Sequence, residues 1–369
     1  MVGSPALYLA AGLVTLDLPW KRLSTQEVMK KLVTLQDIAA ELGVSHATVS
    51  RALNGHAQIS KATRERVFSA AERIGYVVNA SARSLRGSAS TLMGLVIPDV
   101  QNTVYAHVAK IVAETLAMQG YRMVLSVTED DPEREHRDLK ALAEARVAGV
   151  VVVLSPSATR ETLALLAQLS VVQLLRRHSR VLSDVVCIDD HDATYRAASH
   201  LISLGHRRLA YVGNPSEPNT GKERLQGFLK ACAESGMPVP PERVQLGPPS
   251  PNFGKEAIGR AMRGRHRPTG IVTGGIEQVL GILQWMNEKS LHCPSDFSLV
   301  GFGDSPWFNL IQGGITTMHL PTQEVSSAAA ALLMQHAKRT TDEPDQKGTG
   351  TIARYSTTLI VRGSSGAPP

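Results

Sequence analysis

Apolar positions change their period once along this chain. From residue 33 to about residue 76 they fall three and four apart, the spacing of one helix face, and Ile38, Leu42, Val44, Val49, Leu53, Val67, Ala71 and Ile74 supply a core for three short helices. The polar punctuation agrees. Thr34 followed by Asp37 reads as a capping box, opening a helix over 35–42 that Gly43 stops. Ser45 caps a second helix ending near 53, before the turn Asn54-Gly55. Ser60 caps a third over 61–74, closed by Gly75. Residues 79–86 predict a helix of two turns, too short to stand alone in water, and Gly87-Ser88-Ala89-Ser90-Thr91 reads as a linker.

After Thr91 short apolar runs alternate with amphipathic stretches. Strands are expected at 92–97, 122–127, 150–154, 171–175, 185–188, 208–212, 270–273 and 297–300. Helices are expected at 106–118, 133–145, 159–169, 193–204, 222–234 and 276–288, with a further one at 325–337. That alternation predicts parallel α/β architecture. Its length suggests two lobes, with a cleft at the carboxyl ends of their strands.

Charge sharpens the division. The chain of 369 residues carries a net charge of +6. Residues 29–91 hold nine Lys/Arg against four Asp/Glu and so account for most of that excess, as a phosphate-contacting module requires. The three cysteines are isolated and lack metal-ligand spacing, which fits a reducing cytosol. No membrane association, metal or cofactor is expected. Residues 1–28 hold no periodic domain, and translation beginning at Met29 is the favoured reading of that extension.

Placing Val49 and Leu53 inward turns His46, Ala47, Ser50 and Arg51 outward on the second helix. Small and polar side chains there suit a helix in the major groove, with Arg51 able to pair with guanine and Ala47 with a thymine methyl. Thr34, Ser45, Thr48 and Asn54 suit phosphates, which position without specifying. In the short segment, Asn79, Ala82, Arg83 and Leu85 suit a minor groove, with Leu85 as a wedge between base steps. Patterning alone leaves open a plain surface bundle, and leaves Leu85 open to packing on its own domain.

The motifs themselves resemble the lactose-repressor family of bacterial transcription regulators from about Thr34 to Ser364. The head carries Thr34-Leu35-Gln36-Asp37-Ile38-Ala39 and Gly43 to Asn54. The hinge run is Asn79-Ala80-Ser81-Ala82-Arg83-Ser84-Leu85. Later landmarks are Gly94 to Asp99, Gly205-His206-Arg207-Arg208, Arg224 with Gly227-Phe228, Val300-Gly301-Phe302, Thr316-Thr317 and Leu359 to Ser364. The resemblance implies an all-α helix-turn-helix head (33–78), a hinge helix and linker (79–91), and a two-lobed α/β sensor (92–364) resembling periplasmic sugar-binding proteins, followed by a tail (365–369). It implies a cytoplasmic, nucleoid-associated homodimer that represses from a palindromic operator on double-stranded DNA under control of a small-molecule effector. Activation from the same fold, and a solute-binding role, are the alternatives. An enzyme is disfavoured, since no phosphate loop, nucleophile elbow or clustered metal ligands occur.

Departures from the family pattern fall mainly in the sensor: Val78 for the usual Pro, Asn102-Thr103-Val104-Tyr105, Leu175-Arg176, Gly274-Gly275 and Gly303-Asp304. Arg224 is the leading effector contact, followed by Asp304, Tyr105, Asn102, Arg176, Asp189 and Trp307. An arginine-lined cleft suits a sugar, sugar acid or sugar phosphate. The alternative for Arg224 and Arg176 is a structural ion pair.

Overall fold

The structure is a computed structural model that describes residues 33–53, 56, 58–76, 90–217, 219–311, 313–338 and 350–369. The extension 1–28, Asn54, and the hinge positions Asn79, Ala82, Arg83 and Leu85 lie outside the described residues. The chain divides into two compact units, with the boundary at Ser88.

The first unit is the expected trio of helices: α1 (Leu35–Leu42), α2 (His46–Leu53) and α3 (Lys61–Arg73). Thr34 and Asp37 form the capping box, with the Thr34 amide donating to the Asp37 carboxylate at 2.7 Å. Gly43 ends α1 at φ 64°, a conformation that costs glycine nothing. Ile38, Val49 and Val67 are wholly buried, one from each helix, and Ala39, Ala52, Ala70 and Ala71 let the helices approach closely. Arg73 pairs with Glu41, linking α3 to α1.

The second unit contains two sheets. The first runs β1 (Leu92–Ile97), α4 (Thr103–Ala117), β2 (Arg122–Val127), α5 (Pro132–Glu144), β3 (Val150–Val152), α6 (Arg160–Leu166), β4 (Val171–Leu174) and β5 (Asp184–Ile188). The chain then crosses to the second lobe through α7 (Asp190–Ser203), β6 (Leu209–Gly213), α8 (Asn219–Glu234), β7 (Val244–Leu246), α9 (Pro251–Ala261), β8 (Gly270–Thr273), α10 (Ile276–Lys289), β9 (Ser298–Phe302) and β10 (Thr316–His319). It returns with α11 (Thr322–Lys338) and β11 (Ile352–Tyr355), then crosses again to β12 (Thr358–Ile360). The strand orders are β11-β5-β4-β3-β1-β2 and β12-β10-β9-β8-β6-β7. All pairings are parallel except β10 with β12. The central strands are buried on both faces, as helices on each side of a parallel sheet require.

Three crossings let both lobes present their strand ends to one cleft. His206 shows how the second lobe is locked from below. It follows Gly205 at φ 99°, is wholly buried, and sits 2.9 Å from Thr269 Oγ1 through Nδ1, and 3.0 Å from both Ser298 Oγ and the Gly366 carbonyl through Nε2. It is a structural residue of the connection between α7 and β6. A neutral ring donating from Nε2 and accepting at Nδ1 satisfies this set. Burial accordingly holds its pKa below the ordinary histidine value.

Between about pH 7.5 and 5.5 the unfolded chain therefore takes up a proton, near the ordinary value of about 6.5, that the folded ring refuses, so His206 contributes stability at higher pH that is lost on acidification. Chemical denaturation across this range should show a shallower pH slope for His206→Gln than for the wild type. Equal slopes would remove His206 from the balance.

Candidate functional site

Two sets of side chains can recognise something outside the chain, one in each unit. In the first, α2 turns His46, Ala47 and Arg51 to solvent, while Val49 and Ala52 face the core. Ser45 is exposed and closes the start of α2: its Oγ accepts from the Thr48 amide at 3.1 Å and lies 2.9 Å from the Thr48 hydroxyl. The Thr34 hydroxyl is likewise committed, donating to Asp37 at 2.7 Å. Ser50 departs from expectation. It is only 9% exposed, because its position one residue after Val49 and three before Leu53 puts it on the flank of the buried stripe. The outward triad is therefore His46, Ala47 and Arg51, beside the amides at the helix start. Lys61 and Arg66 are exposed on α3.

The second set surrounds a cavity of about 320 Å³ within the sensor. Its lining comes from the carboxyl ends of strands in both sheets: Asp99 after β1, Asp130 after β2 and Arg176 after β4 on one side, Asn214 after β6, Gly275 after β8 and Phe302 of β9 on the other. Tyr105, Asn102, Arg176 and Arg224 all line it, as the sequence predicts. Asn102 also accepts from the Val104 amide at 3.0 Å, capping α4.

Neither arginine is free. Arg224 Nε donates to the Asp190 carboxylate at 2.6 Å and its Nη1 to the Gly274 carbonyl at 2.7 Å. Its guanidinium also lies over the Phe302 ring, 3.9 Å from the centroid. Arg176 Nη2 donates to Asp130 at 3.0 Å and Nη1 to the Leu154 carbonyl at 3.2 Å. Positive φ angles at Glu129, Asp130 and Leu175 aim this second pair, at a cost of order 1–3 kcal/mol for each non-glycine residue held there. Burial pushes the Asp190 carboxyl above its ordinary range, with the Arg224 charge opposing the shift.

Three further residues expected as effector contacts lie outside the cavity lining. Asp304 is outside the cavity and bound to Arg362, at 2.8 and 3.0 Å, with His319 3.6 Å away. Asp189 accepts from the Asp192 amide at 3.0 Å as the N-cap of α7, and it is the next residue, Asp190, that lines the cavity. Trp307 packs its ring against Phe308, 4.6 Å between centroids, on the second lobe's own core. The unanticipated members are Asp99, Asp130, Asp190, Glu217 and Glu277. Only the strand-end position was a usable signal for any of them.

The glycines at 274 and 275 have a local cause. Tyr211, wholly buried, extends its ring over Gly213, and a Cβ at Gly274 would lie 2.6 Å from the tyrosine hydroxyl. A Cβ at Gly275 would lie 2.5 Å from Gln278 Oε1. The space that a side chain needs is already filled from behind.

Comparison with known proteins matches residues 34–79 to the model of bacterial regulatory proteins, lacI family, and residues 198–365 to the periplasmic binding protein-like domain. The chain is 30% identical to catabolite control protein A of Priestia megaterium over 312 residues, covering 84% of this chain and 94% of that protein. It is 29% identical to the HTH-type transcriptional repressor PurR of Haemophilus influenzae (strain PittEE), covering 82% and 91%. Among solved structures, the fold is similar to the lac repressor dimer bound to operator and the anti-inducer ONPF, with a TM-score of 0.77 at 22% identity, covering 91% of this chain and all of the other. A complex of the regulator CelR with cellobiose matches at a TM-score of 0.65 and 26% identity, covering 90% and 99%.

The Asp190–Arg224 pair carries a stability signature of its own. Removing either partner should destabilise the sensor by roughly 3–5 kcal/mol, since the other charge is left buried and alone. Asp190→Ala combined with Arg224→Ala should cost clearly less than the two single changes summed. Additive losses in chemical denaturation would show that the two do not act as a pair.

Proposed function

This chain belongs to the lacI family of bacterial regulatory proteins, and we propose from that premise that it is an effector-controlled transcriptional repressor that binds a palindromic operator as a homodimer. The observation that carries the reading is the outward triad His46, Ala47 and Arg51 on a helix whose inner face is fixed by Val49 and Ala52. A recognition helix needs a rigid back and a small polar front near its N-terminus, so that the front enters the major groove without the helix shifting. The shared length with named regulators spans head and sensor alike, which supports one molecule combining both tasks.

Control follows from the cleft. A ligand held by strand ends of both lobes stabilises one lobe arrangement over another, and it alters operator affinity only to the extent that its affinities for the two arrangements differ. Coupling of this kind is commonly about 1–3 kcal/mol, or 5–150-fold in affinity. The chain then acts in the cytoplasm, on the nucleoid, by binding, and no catalytic step is assigned to it. Repression is preferred to activation because PurR and the lac repressor, both similar across head and sensor, are named repressors.

The deciding experiment is selection of bound sites from random duplex DNA by the full chain, repeated with a metabolite panel. One near-palindromic site should emerge, its affinity falling steeply with salt. Arg51→Ala should cost roughly 1–3 kcal/mol at that site and relax preference at one position per half-site. Recovery of unrelated sequences with equal affinity would overturn the reading.

A further inference from the structure

The charges of the sensor cavity run against the anionic effector that its two arginines suggest. Each guanidinium is already neutralised from its own lobe, Arg176 by Asp130 and Arg224 by Asp190. Three more carboxylates line the same cavity: Asp99 from the first lobe, and Glu217 and Glu277 from the second. None of them forms an ion pair among the described residues. The nearest polar commitment is local, the Gln101 amide donating to Asp99 at 2.7 Å. Burial, and after it the Asp99 charge, raise the Glu277 carboxyl above the ordinary glutamate range, so Glu277 senses Asp99 across the cleft.

The rest of the wall mixes the neutral polar side chains of Asn102, Tyr105, Asn214 and Thr220 with prolines. Pro98, Pro156, Pro215, Pro248 and Pro249 line the cavity and have no N–H to offer an anion. Two helix starts beside the cavity are capped, α4 by Asn102 and α7 by Asp189, while α10 follows Gly275 without a side-chain cap and carries Glu277 in its first turn.

Behind the glycines of the cavity wall, two buried side chains are packed without a hydrogen-bond partner. Gln278 and Tyr211 are wholly buried, and Gln278 Oε1 and the Tyr211 hydroxyl make no hydrogen bond. Both atoms are turned to the Gly274-Gly275 backbone, where the geometry above puts them 2.6 Å or less from the position a side chain would take. Gly275 itself lines the cavity. Val104, Leu175, Ile188, Ile276 and Leu320 add apolar groups to the lining.

Taking the cleft as the effector site, as proposed above, we infer that its effector is a cation: a protonated amine or amidine on a compact, largely apolar body, its charge taken by Asp99 from one lobe and Glu277 from the other. Such a ligand supplies positive charge and donors to carboxylates that form no ion pair among the described residues. It also replaces repulsion between the lobes by attraction to a common centre, which favours the closed arrangement. A sugar acid or sugar phosphate would add negative charge to a cavity whose only guanidiniums are spoken for. A purely dipolar role for Glu277 at the start of α10 would stabilise the helix without selecting any ligand, and the test separates the two.

The test is calorimetry on the full chain with two skeleton-matched trios: tyramine, tyrosol and 4-hydroxyphenylacetate, and glucosamine, glucose and glucuronate. In each trio the amine should bind tightest and the acid least. Glu277→Gln and Asp99→Asn should each weaken the amine by roughly tenfold, a modest share of a partly screened charge contact, and leave the alcohol unchanged. An alcohol or acid that outbinds its amine overturns the inference, as does an amine unmoved by both substitutions. So does silence from both trios at millimolar concentration. Failure of the cleft reading itself looks different. A cavity-filling Ile276→Trp variant would then leave every metabolite response of operator binding intact. A response to neutral or anionic metabolites that Ile276→Trp abolishes would keep the cleft as effector site and discard only its charge preference.

Discussion

Asp190 stands at the point where the chain leaves the first sheet and begins the second lobe, and its carboxylate is almost wholly enclosed. A buried carboxylate is tolerable only with a counter-charge and donors around it, and Arg224 provides both. One guanidinium therefore fixes the start of α7, the body of α8, the carbonyl at the end of β8 and the Phe302 ring of β9. The floor of the second lobe's half of the cleft is built on that single contact. Thr194 adds to it by donating to the Arg224 carbonyl at 2.6 Å, and Gly227 allows α7 and α8 to pack so closely that a Cβ there would lie 2.0 Å from the His191 carbonyl.

The same economy explains why the lobes can respond separately. Asp130 with Arg176 and Asp190 with Arg224 each pair inside one lobe, so neither pair is broken when the lobes move. Charges that remain unpaired, Asp99 against Glu217 and Glu277, come from opposite lobes and share a sign. Rigid halves with an unresolved interaction between them are what a ligand-driven equilibrium needs, because a ligand gains leverage only where the two states differ in contacts.

Local features were legible in the sequence, and long-range ones were not. The capping box at Thr34, the stop at Gly43 and the core of the head depend on neighbours within four residues, and they are found where the spacing predicts. The central strands were also legible, being continuous apolar runs. The edge strands β7, β11 and β12, the buried β10 between β9 and β12, and the glycine-containing α9 were not anticipated. Most of these are short or partly exposed and draw their order from the sheet edge beside them rather than from their own periodicity. The cleft was half legible. Arg176, Arg224, Tyr105 and Asn102 do line it, yet whether an arginine is free depends on carboxylates 46 and 34 residues away. Asp189 and Asp190 differ by one residue, and only the turn into α7 decides which caps and which lines the cavity.

The retained and the altered motifs divide by what each part must fit. The head meets B-form DNA, whose groove width and phosphate spacing are the same at every operator, so caps, core alanines and the entry of α2 have little room to vary, and specificity rests on a few outward side chains. The cleft meets whichever small molecule its circuit reports on. There positions 274, 275 and 303 are glycines, and the volume that side chains would need is filled by Tyr211, Gln278 and Ile276. Filling of that kind keeps the strand ends packed and leaves no side chain at these three positions to meet a ligand. A resemblance strong in the head and diluted at the cleft is therefore the expected outcome when one scaffold keeps its DNA geometry and changes its ligand.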